Sequence, residues 1–215
     1  MLSYRYGKMN MDSTQDSSGM KMHMHMLGAM YAPSDAVTLM VMAPFKNLDM
    51  DMANGNTMES SGLGDVKVSG LIPIWENDRR RIHLTAGISY PTGSIKETGA
   101  MNMRLGYPMQ LDSGTFDLLP GLTYFVQKDE SSWGAQVSSV IRMGENSENY
   151  SFGNGFMATV WYAHKLSNLL SASVRSKGNT WGKINGQDDE INIMMGPSMD
   201  SARYRGRLPD PSGPQ

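Results

Sequence analysis

The feature that most constrains the fold of this chain is a two-residue alternation of apolar and polar side chains, sustained over long runs. A strand points successive side chains to opposite faces, so such a run carries one apolar face and one polar face. The cleanest run is Arg81–Gly93: Ile82, Leu84, Ala86, Ile88 and Tyr90 share one face, and Arg81, His83, Thr85, Gly87 and Ser89 the other. Val66–Glu76 precedes it across the polar turn Asn77-Asp78-Arg79-Arg80, which makes the two a hairpin. The same pattern runs through Leu2–Asp12, Met20–Ala32 and Ala36–Met52, then through 116–126, 133–143, 156–166 and 169–183. The alternation predicts about nine strands.

Length decides where such strands belong. Soluble sheets use strands of about 5 to 6 residues, whereas these run roughly 10 to 17, enough for the roughly 9 to 11 that a tilted strand needs to cross a bilayer. Hydrophobic residues make up only 40% of the chain, and no run approaches the roughly 18 apolar residues of a spanning helix. Alternating barrel strands look polar in just this way. Short turns near 33–35, 77–80, 128–131 and 167–169 alternate with longer polar or glycine-rich loops near 12–19, 53–64, 94–113 and 145–151, as in barrels with short periplasmic turns and long outer loops. The expected fold is an all-β, antiparallel transmembrane β-barrel of outer-membrane type, a single domain over 1–195 followed by an irregular or disordered tail over 196–215. Nine is odd where single-chain bacterial barrels have even counts, and the chain ends Pro211-Ser212-Gly213-Pro214-Gln215. Closing strands are therefore expected to be missing at the C-terminal end. Met1-Leu2-Ser3-Tyr4-Arg5-Tyr6 has neither the basic nor the apolar region of a signal peptide, so the natural start is expected upstream.

The net charge is -2, from 19 Lys+Arg against 21 Asp+Glu, which argues against nucleic acid as a partner. Cysteine is absent, which excludes disulfides and thiolate chemistry. Methionine, by contrast, occurs 21 times. Met20, Met22, Met24 and Met26 fall on one face of their strand and His23 and His25 on the other, with Met9, Met11, Met50 and Met52 on the neighbouring strands. Thioethers suit Cu(I), and imidazole also binds copper. Met22, His23, Met24, His25 and Met26 are thus the candidate metal ligands, with copper the one cofactor to consider. Methionine as adaptable packing is the plainer account of the same residues.

A hydrolase needs a nucleophile, a base and an orienting group that meet in space, and nothing marks His83 or His164 as such a base. Gly62-Leu63-Gly64-Asp65 lacks the full phosphate-loop fingerprint and has no helix after it, so it reads as a loop entering a strand. Tyr4, Tyr6, Tyr31, Tyr90, Tyr124, Trp133, Trp161, Tyr162 and Trp181 fall near strand ends or on outward faces, where girdles at the bilayer interfaces would place them.

Several stretches together resemble one family. They are Met22-His23-Met24-His25-Met26-Leu27-Gly28-Ala29-Met30-Tyr31-Ala32-Pro33, Gly62-Leu63-Gly64-Asp65-Val66-Lys67, and Ile88-Ser89-Tyr90-Pro91-Thr92-Gly93-Ser94-Ile95. Tyr107-Pro108-Met109-Gln110-Leu111, Gly114-Thr115-Phe116-Asp117-Leu118-Leu119-Pro120-Gly121-Leu122 and Trp133-Gly134-Ala135-Gln136 complete the set. Over about residues 1–195 the chain is similar to the outer-membrane "transporter" proteins of the meta-pathway phenol-degradation family. The resemblance implies a Gram-negative outer-membrane barrel without catalysis, in contact with outer-membrane lipid and passing small hydrophobic compounds; some members are associated with copper-handling genes, and no catalytic residues carry over. A Met/His-rich copper-binding outer-membrane protein is the second expectation, and a barrel enzyme acting on lipid the third.

Overall fold

The computed structural model describes residues 1–12, 19–34, 36–51, 55–99, 102–167 and 170–191. Its wall is an antiparallel meander. β1 (Leu2–Asp12) pairs with β2 (Gly19–Ser34), and β2 pairs with β3 (Val37–Asp51). The fourth wall position is shared by β4 (Thr57–Leu63), on the C-terminal half of β3, and β5 (Val66–Asn77), on its N-terminal half. β6 (Arg80–Tyr90) follows β5. Next, β7 (Asp117–Leu118) and β8 (Gly121–Gln127) together lie between β6 and β9 (Ser131–Arg142). Beyond the short β10 (Tyr150–Ser151), β11 (Gly155–Lys165) pairs with β9 and with β12 (Ser171–Trp181). β10 pairs instead with β13 (Asn185–Gly186), in a separate two-stranded sheet.

The wall order is β1-β2-β3-β5-β6-β7-β9-β11-β12, nine positions, as the alternation predicts. Among the described residues no pairing joins β1 to β12. The tail expected over 196–215 and the strand end at Met52 lie outside the described residues.

Residues 57–63, expected within a loop, are a wall strand instead. Thr57-Met58-Glu59-Ser60-Ser61-Gly62-Leu63 has no large apolar residue between Met58 and Leu63, so alternation gives no signal there. Its backbone nevertheless completes the ladder on β3 from Asp51↔Thr57 to Phe45↔Leu63.

The two faces are chemically distinct. Outward-pointing Leu39, Val41, Leu84, Ile88, Leu122, Val137, Phe156, Val160 and Val174 are exposed, the apolar belt that a bilayer covers. Tyr6, Phe45, Tyr90, Phe116 and Phe156 lie toward the long-loop end of that belt, and Tyr31, Trp75, Trp133 and Tyr162 toward the short-turn end, all exposed. Tyr90 meets Phe116 edge-on at 5.8 Å, and Tyr124 meets Trp133 at 5.4 Å. These are the two girdles. Trp181 is the last residue of β12, a strand end as expected, whereas Trp161, inside β11 and in its inward phase, is the exception. Trp161 lies flat over Gly134 of β9, where a Cβ would stand 2.3 Å from the ring.

The orientation of β6 is open to a direct test. Leu84 is 38% exposed on the outer face, whereas His83 is half-buried on the inner face opposite Thr123. Arg on the lipid face near mid-bilayer costs about 2–4 kcal/mol. Leu84→Arg should therefore cut the yield of membrane-assembled protein sharply, and His83→Arg should leave it close to the unaltered chain. Equal yields would reverse the face assignment.

Candidate functional site in the barrel interior

The interior is built from the inward phase of each strand. On β2 and β3 that phase is Met20, Met22, Met24, Met26 and Met30 beside Met40, Met42, Pro44, Lys46, Leu48 and Met50, in register across the pair. β1 adds Met9 and Met11, opposite Met22 and Met20. From β8 to β12 the same phase is mostly polar: Thr123 and Gln136 stand next to Thr159, with Lys177 beyond. One side of the interior is a thioether surface. The other is polar, with Trp161 beneath the Arg175 guanidinium at 5.8 Å.

The segment joining β6 to β7 does not project outward as a loop; it folds into the long-loop end of the interior. A three-residue helical turn, Tyr107–Met109, buries Met109 completely. Leu105, Met109 and Leu111 form one cluster with Met20, Leu48 and Met50, against which Met11, Met22 and Met58 pack. Each such side chain withdrawn from water stabilises the inserted form by about 1.5–3 kcal/mol. Gly64 makes the approach possible, since a Cβ there would meet Asp112 Oδ2 at 2.8 Å and Lys46 Cε at 3.0 Å.

Polar groups fix the segment in place. Lys46, in the middle of β3, donates to the Leu111 carbonyl at 2.6 Å and to Asp112 at 2.7 Å. The Asp65 amide donates to the same Asp112 oxygen, Oδ2, at 2.8 Å. Ser113 donates its hydroxyl to Asp65 at 2.8 Å, Thr115 donates to Asp117 at 2.7 Å, and Arg142 of β9 pairs with Asp117. Farther out, the nearly buried Arg104 reaches Glu190 at 2.5 Å and Glu148 at 3.3 Å, while Lys96 pairs with Glu148 at 2.5 Å. Tyr107, Tyr150 and Phe152 stack edge to face among these loops, and burial pushes the Tyr150 hydroxyl up to about 12.

Burial alone would raise the Asp112 carboxyl, but the Lys46 ammonium, the Asp65 amide and the nearby Lys67 hold it below its ordinary value. The hydrogen bond from Lys96, with its charge and that of Arg104, does the same for Glu148.

The candidate metal ligands separate. Met22, Met24 and Met26 point inward. His23 and His25 are on the outer face, where Tyr6 bonds His23 Nδ1 at 2.6 Å and Tyr4 bonds His25 Nδ1 at 2.7 Å. The sheet therefore stands between the sulfurs and the imidazoles. His83 faces Pro73 and Thr123 across its neighbours. His164 stacks on Tyr162 with its Nδ1 buried and unpartnered. Among the described residues neither histidine assembles a chain of serine, imidazole and carboxylate. The inserted segment was not expected from the sequence. Its one signal is the trio Leu105, Met109 and Leu111 inside a supposedly outer loop, together with a lysine in an otherwise apolar strand.

Residues 22–199 match the family described as "Putative MetA-pathway of phenol degradation". The fold is similar to that of an outer membrane channel from Pseudomonas putida F1, known from its crystal structure. The TM-score is 0.66 at 15% identity, over 87% of this chain and 75% of that one. Among curated proteins none matches the chain in sequence.

Burial and the neighbouring Asp112 charge push Asp65 up to about 6, but Asp112 and Glu148, which also anchor the inserted segment, are held below their ordinary values. Their contribution is therefore present above the ordinary carboxylate range and is lost as pH falls through the depressed values. In detergent, amide exchange at Leu105 and Leu111 should accelerate as pH drops below the ordinary values of 3.8 for Asp112 and 4.5 for Glu148, after correction for intrinsic exchange. Glu148→Gln should flatten part of that dependence. An exchange rate that follows the intrinsic rate alone would show that these pairs do not hold the segment.

Proposed function

Because the chain belongs to this phenol-degradation family, we propose that it is a channel of the bacterial outer membrane that passes small hydrophobic compounds and performs no chemical step on them. The observation that carries this reading is the methionine surface of β2 and β3. Barrel interiors that conduct hydrated solutes are polar, so an interior with Met24, Met26, Met30, Met40 and Met42 on one side offers an apolar solute a surface that water does not compete for. Methionine suits that task, being flexible and polarisable enough to fit solutes of different shape. The inserted segment then acts as the constriction above this surface.

In planar bilayers the chain should produce discrete conductance steps. Met109→Asp, which places a charge in the apolar contact of the inserted segment, should raise the unit conductance several-fold. Absence of steps from both would overturn the channel reading.

A second reading is favoured by one specific observation. Met9↔Met22, Met11↔Met20 and Met20↔Met50 are direct cross-strand neighbours, with Cβ atoms about 4.5–5.5 Å apart. Such flexible thioethers can converge on Cu(I). Of the candidate ligands a site of this kind uses Met22, with Met9, Met11, Met20 and Met50 beside it, without His23 and His25; Met24 and Met26 face Gly7, Lys46, Arg5 and Pro44 across the ladders. Replacing Met11, Met20 and Met22 together by Leu, which breaks all three pairs, keeps the apolar volume. Calorimetric titration should then show Cu(I) affinity lost with the fold intact, and unchanged affinity would reduce the methionines to packing.

A further inference from the structure

The charges on the inner face are unbalanced. On the wall strands the carboxylates of that face are Glu76 and Asp117, paired with Arg81 and Arg142. Lys46 is taken by Asp112, and Asp65 is engaged by Ser113 and the Gly93 amide. Arg5, Lys67, Lys165, Arg175 and Lys177 are left, and none of them forms an ion pair among the described residues. Lys67 acts on Asp112 through space without pairing with it.

Two of these cations bracket the methionine surface. Ser3, Gly28, Met42, Lys67 and Ser89 form one continuous row across β1, β2, β3, β5 and β6. Arg5, opposite Met26, reaches over this row to within 3.7 Å of the Met42 sulfur. At the far end, the Ser89 hydroxyl is buried without a hydrogen-bond partner. The row lies next to the Lys46–Asp112 pair, at the inner edge of the inserted segment.

A thioether floor between two unpaired cations fits a particular kind of solute. An apolar body is accommodated on Met26 and Met42, and a single negative group is attracted to the cations. Basic side chains lining a pore favour anions, and their effect grows where low-dielectric walls focus the field. Arg5 offers the forked donor geometry that matches a carboxylate.

We propose that the solutes of this pathway are apolar anions, carboxylates above all, held between Arg5 and Lys67 over Met26 and Met42. This rests on the channel reading and specifies its substrate class. Benzoate is the probe and benzamide its neutral counterpart of nearly equal shape. With the full chain in planar bilayers, the reversal potential across a potassium chloride gradient should report anion selectivity. Benzoate should half-block the chloride current at about one tenth of the benzamide concentration, the ratio expected of one charge-assisted contact in a partly wet lumen. Arg5→Gln combined with Lys67→Gln should erase that tenfold difference. If the variant fails to insert, the two probes on the unaltered chain decide alone. A chain that passes no current overturns the channel reading and this proposal with it. A conducting chain that is cation-selective, that is blocked alike by both probes, or whose preference survives the double substitution overturns this proposal and leaves the channel reading standing.

Discussion

Hydrocarbon offers no partner to a backbone N–H or C=O, so every such group at membrane depth must be paired within the protein. The rest of this structure depends on that requirement. It forces the chain into ladders of long strands, from Leu2↔Ala29 at one side to Lys165↔Ser171 at the other. Once the strands are fixed, the pleat assigns every second side chain to lipid and every other to the interior. Leu84 and Ile88 go outward for the same reason that His83 and Thr85 go inward.

The interior is where this chain departs from a simple water-filled pore. Because the outer face takes the branched and aromatic side chains, the inner face of β2 and β3 is free to be something else, and here it is methionine. That surface would be poorly hydrated if left open at its outer end. The segment around Met109 covers it there, and Lys46 supplies the polar anchor that an apolar contact lacks. Desolvating an ammonium is costly unless it is paired and hydrogen-bonded, and Lys46 has both Asp112 and the Leu111 carbonyl. The open floor below belongs to Arg5, Met42 and Lys67.

The wall was legible in the sequence because alternation is a local signal. Residues 66–77 and 80–90 carry their whole assignment in their own side chains, and the turn between them is marked by Asn77-Asp78. The interior was less legible, because its contacts join residues distant in sequence. β4 has almost no apolar pattern and is a strand only because β3 offers it a ladder. Leu105, Met109 and Leu111 look like isolated apolar residues in a polar loop until Met20, Leu48 and Met50 are placed beneath them. The alternation did put Met22, Met24 and Met26 on the face opposite His23 and His25. What it could not supply was the identity of the inner face, which follows from the segment that packs on it.

The difference in sequence range between the wall and its insert sets an order of events. Wall strands pair with near neighbours, so each hairpin closes a short loop at small entropic cost. The insert is tied down by contacts such as Lys46 with Asp112, 66 residues apart, and Arg104 with Glu190, 86 apart. These can form only after the strands that carry them have been brought together. Maturation of this protein should accordingly have two phases: a wall assembled hairpin by hairpin, then docking of the Met109 segment as a separate cooperative unit. Such a late unit is also the first to open again under stress, so the barrel can lose and regain its constriction without dismantling its ladders.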